Sequence, residues 1–147
     1  MTLPAGYDWD ICATKAMELL KVKDGRVVAP GGVSYALLVL PPRKTMSERM
    51  LATVERLLDA GAKVCGLVKP TRAPGLRGYP LADARLAERV EKVWAKGVME
   101  YRPAEALERL GVAPDFTSTE TDRQEGAVYI HRRNAAADWY LDRKSVV

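Results

Sequence analysis

Histidine occurs once in this sequence, at position 131, and cysteine twice, at positions 12 and 65. A single imidazole severely narrows the catalytic options. The two cysteines are far apart and no CxxC is present, which excludes a zinc site and a disulfide framework. What remains is either one Cys12–Cys65 bridge or two buried free thiols, and buried free cysteine commonly serves as a small hydrophobe. No stretch approaches the roughly 20 apolar residues of a membrane-spanning helix. Residues 1–6 carry neither a basic region nor an apolar run, so no signal peptide and no membrane partner are expected. Neither GxGxxG nor GxxxxGK followed by Ser or Thr occurs, so a nucleotide-binding reading lacks its required residues, and no cofactor is expected. Charge of one sign is also scarce. The 23 Lys and Arg exceed the 19 Asp and Glu by four, without forming a basic arm, so no nucleic-acid partner is expected.

What is present suits a folded domain. Hydrophobic residues make up 48% and charged residues 29% of 147 positions, enough to build one core without staples. After an irregular lead-in, Asp10 is placed to cap a helix over about Ile11–Leu20, with Ala13, Met17 and Leu20 on one face. Asp24-Gly25 signals a turn before a short strand at Arg26–Ala29. The continuous apolar run Tyr35–Leu40 reads as a strand covered on both faces. Thr45-Met-Ser-Glu48 has the form of a capping box. The helix it opens, about 46–60, carries Met46, Met50, Leu51, Val54, Leu57 and Leu58 on one stripe, and Gly61 stops it. A strand at Ala62–Val68, a loop rich in Pro and Gly from Lys69 to Pro80, and a helix at about Leu81–Ala95 follow. Next come a strand at Val98–Tyr101 and a short helix at about Ala104–Leu110, with Pro103 in its first turn. Beyond a polar loop, Ala127–Arg132 and Asp138–Leu141 read as a hairpin. The alternation predicts α/β architecture, namely a small doubly wound, mainly parallel sheet of flavodoxin-like type with a C-terminal β-hairpin. The 35–40 and 63–68 strands should be adjacent and parallel beneath the 46–60 helix.

Ligands of open parallel sheets bind beyond the carboxyl ends of the strands. Here those ends read Pro41-Pro42-Arg43, Lys69-Pro70 and Tyr101-Arg102, with no nucleophile among them. A Cys65–His131 catalytic pair would need the thiol on a sharp strand-to-helix turn, whereas Leu67 and Val68 still follow Cys65 in its strand. Two carboxylates suffice for glycoside hydrolysis. Asp8 and Asp10 are spaced either for such a pair, for a divalent cation, or for a turn followed by a helix cap. Glu120, Asp122 and Glu125 fall in a solvated loop. Lys69, Arg72 and Arg77 either hold an anionic ligand or line a solvent-facing crossover punctuated by prolines. Strand alternation points His131 and Arg132 to opposite faces.

Several phrases in order and spacing form a set: Gly6-Tyr-Asp-Trp-Asp10, Tyr35-Ala-Leu-Leu-Val-Leu-Pro-Pro42, Gly75-Leu-Arg-Gly-Tyr-Pro80 with Asp83, Leu110-Gly-Val-Ala-Pro-Asp-Phe116, and Ile130-His-Arg-Arg133 followed by Ala137-Asp-Trp-Tyr140. Together, over residues 6 to about 140, they resemble glycoside hydrolase family 106, the α-L-rhamnosidases. The resemblance implies enzymes many times longer, with a (β/α)₈ catalytic barrel and β-sandwich domains, in a periplasmic or extracellular setting. This chain is similar to the stretch after the barrel, an α/β domain of glutamine-amidotransferase-like type. The family's catalytic glutamates and calcium ligands lie in the barrel portion, so no catalytic or metal-binding residue transfers to this sequence.

The function the resemblance implies is that of a non-catalytic accessory α/β domain over residues 1–116, with 117–147 a loop and hairpin opening a truncated β-domain. Its partners would be the catalytic barrel and sandwich domains, and His131, Arg132, Asp8 and Asp10 its candidate substrate-binding residues, His131 and Arg132 at a pocket shared with the barrel. The alternative is an independent sugar- or anion-binding module using the Lys69–Tyr79 loop and Tyr101. An isolated hairpin is marginal in water, so residues past about 134 are expected to be the least ordered, with Trp139 and Tyr140 partly exposed.

Overall fold

The computed structural model describes residues 4–115, 129–133 and 136–142. The chain begins with an extended lead-in and a single helical turn, α1 (Thr14–Met17), followed by three short strands, β1 (Lys21–Lys23), β2 (Arg26–Val28) and β3 (Ser34–Tyr35). Between β1 and β2, Asp24 and Gly25 take φ values of 52° and 74°. Two consecutive positive φ angles match the right-handed twist of a two-residue hairpin, and Asp-Gly tolerates them well. Antiparallel pairing follows, with Val22 opposite Val27 and Val27 opposite Tyr35. These three side chains join the core, while Lys21, Lys23, Arg26 and Ser34 face solvent.

The second layer starts at β4 (Leu38–Val39), then α2 (Glu48–Asp59), β5 (Val64–Cys65), α3 (Leu81–Trp94) and α4 (Pro103–Arg109). β4 and β5 run parallel with Leu38 opposite Val64 and Val39 opposite Cys65, as expected for neighbouring strands. Among the described residues one further bridge, Cys65 with Met99, extends this pair. Ser47, rather than Thr45, caps α2, its hydroxyl accepting from the Met50 amide at 3.2 Å. Leu51, Val54 and Leu57 are buried along the inner stripe of α2, and Leu86, Val90, Val93 and Trp94 along that of α3. Across the outer seam, Arg89 bridges Glu48 and Glu55 at 3.0 Å each, and Lys96 reaches Glu55 at 2.9 Å and Asp59 at 2.8 Å. Lys96 first, and Arg89 with it, hold the Glu55 carboxyl below its usual range. Exposed pairs of this kind contribute little stability each; they register one helix against the other.

The expected doubly wound, mainly parallel sheet is therefore not what forms. The chain is a small α/β domain with a three-stranded antiparallel sheet and a two-stranded parallel pair. The apolar run Tyr35–Leu40 is divided, Tyr35 pairing backward with β2 and Leu38 forward with β5. α2 and α3 share one core with Leu40, Val64 and Val98, whereas Cys65, one residue on from Val64, points away from it. The short α4 buries Ala106 and Leu107 outside the core that α2 and α3 share. The first helix is likewise one turn long, with Ala13 as its uncapped N-terminal residue, so Asp10 is not its cap.

At the C-terminal end, β6 (Tyr129–Arg133) and β7 (Asp138–Asp142) form an antiparallel hairpin, the pairing expected for this segment. Trp139 is 58% exposed. The side chain of Tyr140, residues 134–135 and 143–147, and the loop holding Glu120, Asp122 and Glu125 lie outside the described residues.

Candidate functional site

The carboxyl ends of the parallel strands meet the segment after Met99 in an open groove of about 300 Å³, lined by Val39, Leu40, Pro42, Cys65, Leu67, Tyr101, Arg102 and Pro103. Alternation in β4 and β5 builds it. With Val64 turned to the helices, Val39 and Cys65 fall on the opposite side, and Leu40 and Leu67, just past the strand ends, complete the lining. The Cys65 thiol donates to the Tyr101 carbonyl at 2.8 Å. Burial pushes this thiol's pKa up, the reverse of what a nucleophilic cysteine needs. Both cysteines are free, but Cys12 is exposed, which corrects the expectation of two buried thiols. The Arg109 guanidinium lies 4.1 Å from the Tyr101 ring centroid and occupies one face of the ring. The floor is thus apolar, and Arg102 is the one charged side chain in the lining.

The sequence candidates distribute as follows. Asp10 accepts the Tyr35 hydroxyl at 2.6 Å, joining the lead-in to β3. Asp8 Oδ1 accepts from the Trp9 amide at 3.0 Å, and the Asp8 amide donates to Asp115 Oδ2 at 3.4 Å. Neither aspartate lines the groove. Among the described residues no third His, Cys, Asp or Glu gathers with them in a metal-binding cluster. His131 and Arg132 lie in β6 opposite Tyr140 and Trp139, and their side chains are outside the described residues. In the basic loop, Lys69 is committed to Glu91 at 2.8 Å and Glu100 at 3.4 Å, with Glu91 holding its ammonium above the usual lysine value. That spends the first of the three charges proposed to hold an anion.

Two polar tethers escaped the sequence reading. Asp83 Oδ1 accepts from the Ala73 amide at 2.9 Å, pinning the 69–80 loop to the first turn of α3. An acid in a helix's first turn, three residues after Pro80, was the available signal. The other is the Tyr35–Asp10 bond, 25 residues apart in sequence, for which no local signal exists. The Asp10 carboxylate, together with partial burial, pushes the Tyr35 pKa up to about 12. The folded value exceeds the ordinary one near 10, so this bond's contribution to stability is complete below about pH 10 and is lost as pH rises to about 12. A tyrosinate absorbance titration should show one late-ionising tyrosine, absent in Tyr35→Phe. An unchanged titration in that variant would contradict the assignment.

With this geometry in place, relatives give the chain its family. The glycoside hydrolase family 106 model, described as alpha-L-rhamnosidase, matches residues 1–146. The chain belongs to glycoside hydrolase family 106. A proposed beta-glucuronidase of Formosa agariphila is 33% identical over 137 residues, covering 92% of this chain and 12% of that protein. The solved rhamnosidase of Novosphingobium sp. PP1Y superposes with a TM-score of 0.77 at 25% identity, over 94% of this chain and 14% of that one. The family 106 segment seen here is thus domain-sized, a small fraction of the length of either relative, and corresponds to one domain of a larger glycoside hydrolase.

Proposed function

We propose that this chain is the non-catalytic supporting α/β domain of an α-L-rhamnosidase-like glycoside hydrolase, inactive by itself. The observation that carries this reading is the contrast in coverage, with 94% of this chain matched to 14% of a rhamnosidase. The groove adds support. Its lining holds no carboxylate, whereas glycoside hydrolysis ordinarily needs two acids flanking the scissile bond. In this proposal residues 1–116 form the supporting unit and 117–147 lead into a β-rich neighbour. His131, Arg132, Asp8 and Asp10 are its candidate sugar contacts, His131 and Arg132 at the border with the catalytic barrel. The test is hydrolysis of an aryl α-L-rhamnoside, with an aryl β-D-glucuronide in parallel. The purified chain should match a buffer blank on both. Turnover that follows the protein through successive purification steps would overturn the proposal.

A further inference from the structure

A parallel sheet is ordinarily covered on both faces. Here α2 and α3 cover one face of the β4–β5 pair, and on the other Cys65 is buried while the strand ends beyond it open into the groove. Leu67 stands 50% exposed at its edge, beside Val39, Pro42 and Pro103. At about 300 Å³ and with a single charged lining residue, it is small and poorly furnished for holding a soluble ligand. Its apolar surface suits a protruding side chain of another protein surface. Arg102 is the charged residue of the lining, and its guanidinium is not ion-paired among the described residues. The relatives supply the occupant, because the matched segment is 14% of the rhamnosidase and the rest of that chain must pack somewhere on it.

Resting on the supporting-domain reading, we infer that this groove is the docking surface for an adjoining domain of the longer hydrolase, which inserts an apolar side chain beside a carboxylate that meets Arg102. Two measurements test it. In the isolated chain, Leu67→Arg should leave the melting temperature within about 2 °C, as at a solvent-facing position. In the whole Novosphingobium rhamnosidase, arginine at the position superposed on Leu67 should speed amide exchange about tenfold or more in that strand end and in the surface facing it. If that variant fails to fold, glutamine at the same position gives the same reading. Unchanged exchange in the whole enzyme, or collapse of the isolated Leu67→Arg chain, would overturn the interface. Failure of the supporting-domain reading shows separately, as rhamnoside turnover by the isolated chain.

Discussion

Val54→Asp should abolish the cooperative unfolding transition of this domain. Val54 is completely buried on the inner face of α2, packed in the core that also holds Leu51, Leu57, Val64 and Leu86. A carboxylate there has no described cation within the core to meet it, and burying an unpaired charge costs several kcal/mol against total stability of about 5–15 kcal/mol. The control lies on the same helix. Ala52 is exposed, so Ala52→Asp should change stability by no more than about 0.5 kcal/mol. Thermal melts followed by near- and far-ultraviolet circular dichroism compare the two. A Val54→Asp protein that melts cooperatively at the parent midpoint would show that this face of α2 is not the buried one.

The second large effect is expected at Gly66, immediately after β5. Its amide donates to the Met99 carbonyl at 3.0 Å, and its carbonyl accepts from the Trp94 indole at 3.4 Å. A Cβ at this position would sit 3.2 Å from Trp94 Cζ2 and Val98 Cγ1 and 3.3 Å from Leu40 Cδ1. Carbon atoms pack best at about 3.5–4.0 Å, and three neighbours from three different segments must yield together. Gly66→Ala should therefore cost about 1–3 kcal/mol, the usual range for overpacking. Gly66→Val, with two further methyl groups, should cost more. The cause can be isolated by pairing Gly66→Ala with Trp94→Phe, which trims the indole from the crowded side. The double variant should be more stable than the sum of the single effects by about 0.5 kcal/mol or more. Strict additivity in denaturant melts would mean that Trp94 is not what confines this glycine.

Both predictions concern the same piece of architecture, the parallel pair with its two helices, and this was the part most legible in the sequence. The stripe Met50–Val54–Leu57–Leu58 has helical period, and Gly61 ends it with a φ of 94°, a conformation open to glycine. Such signals are local, carried within one or two turns of chain. The same is true of α3 and of α4 with Pro103 at its start, whose observed bounds differ from the expected ones by a single residue, and of the antiparallel pairing of the terminal hairpin. The family, too, was legible, because ordered phrases in the sequence are what a family match reads.

Tertiary structure decided the rest. An apolar run such as Tyr35–Leu40 states that it is buried without stating which partner covers it, and two sheets turned out to share it. The three-residue strand Lys21–Lys23 has too little pattern of its own and exists because the Asp24-Gly25 turn folds it back onto β2. Thr45 and Ser47 both had the chemistry of a cap, and the direction from which the chain enters α2, held by the Met46 amide bonding the Arg72 carbonyl at 3.1 Å, selected Ser47. The side of the sheet on which both long helices lie, and hence the groove beside Leu67, depends on connections 20 to 40 residues apart, roughly the span of a βαβ unit. Local sequence determines what a segment can become; which neighbour meets it is set by the packing of the whole chain.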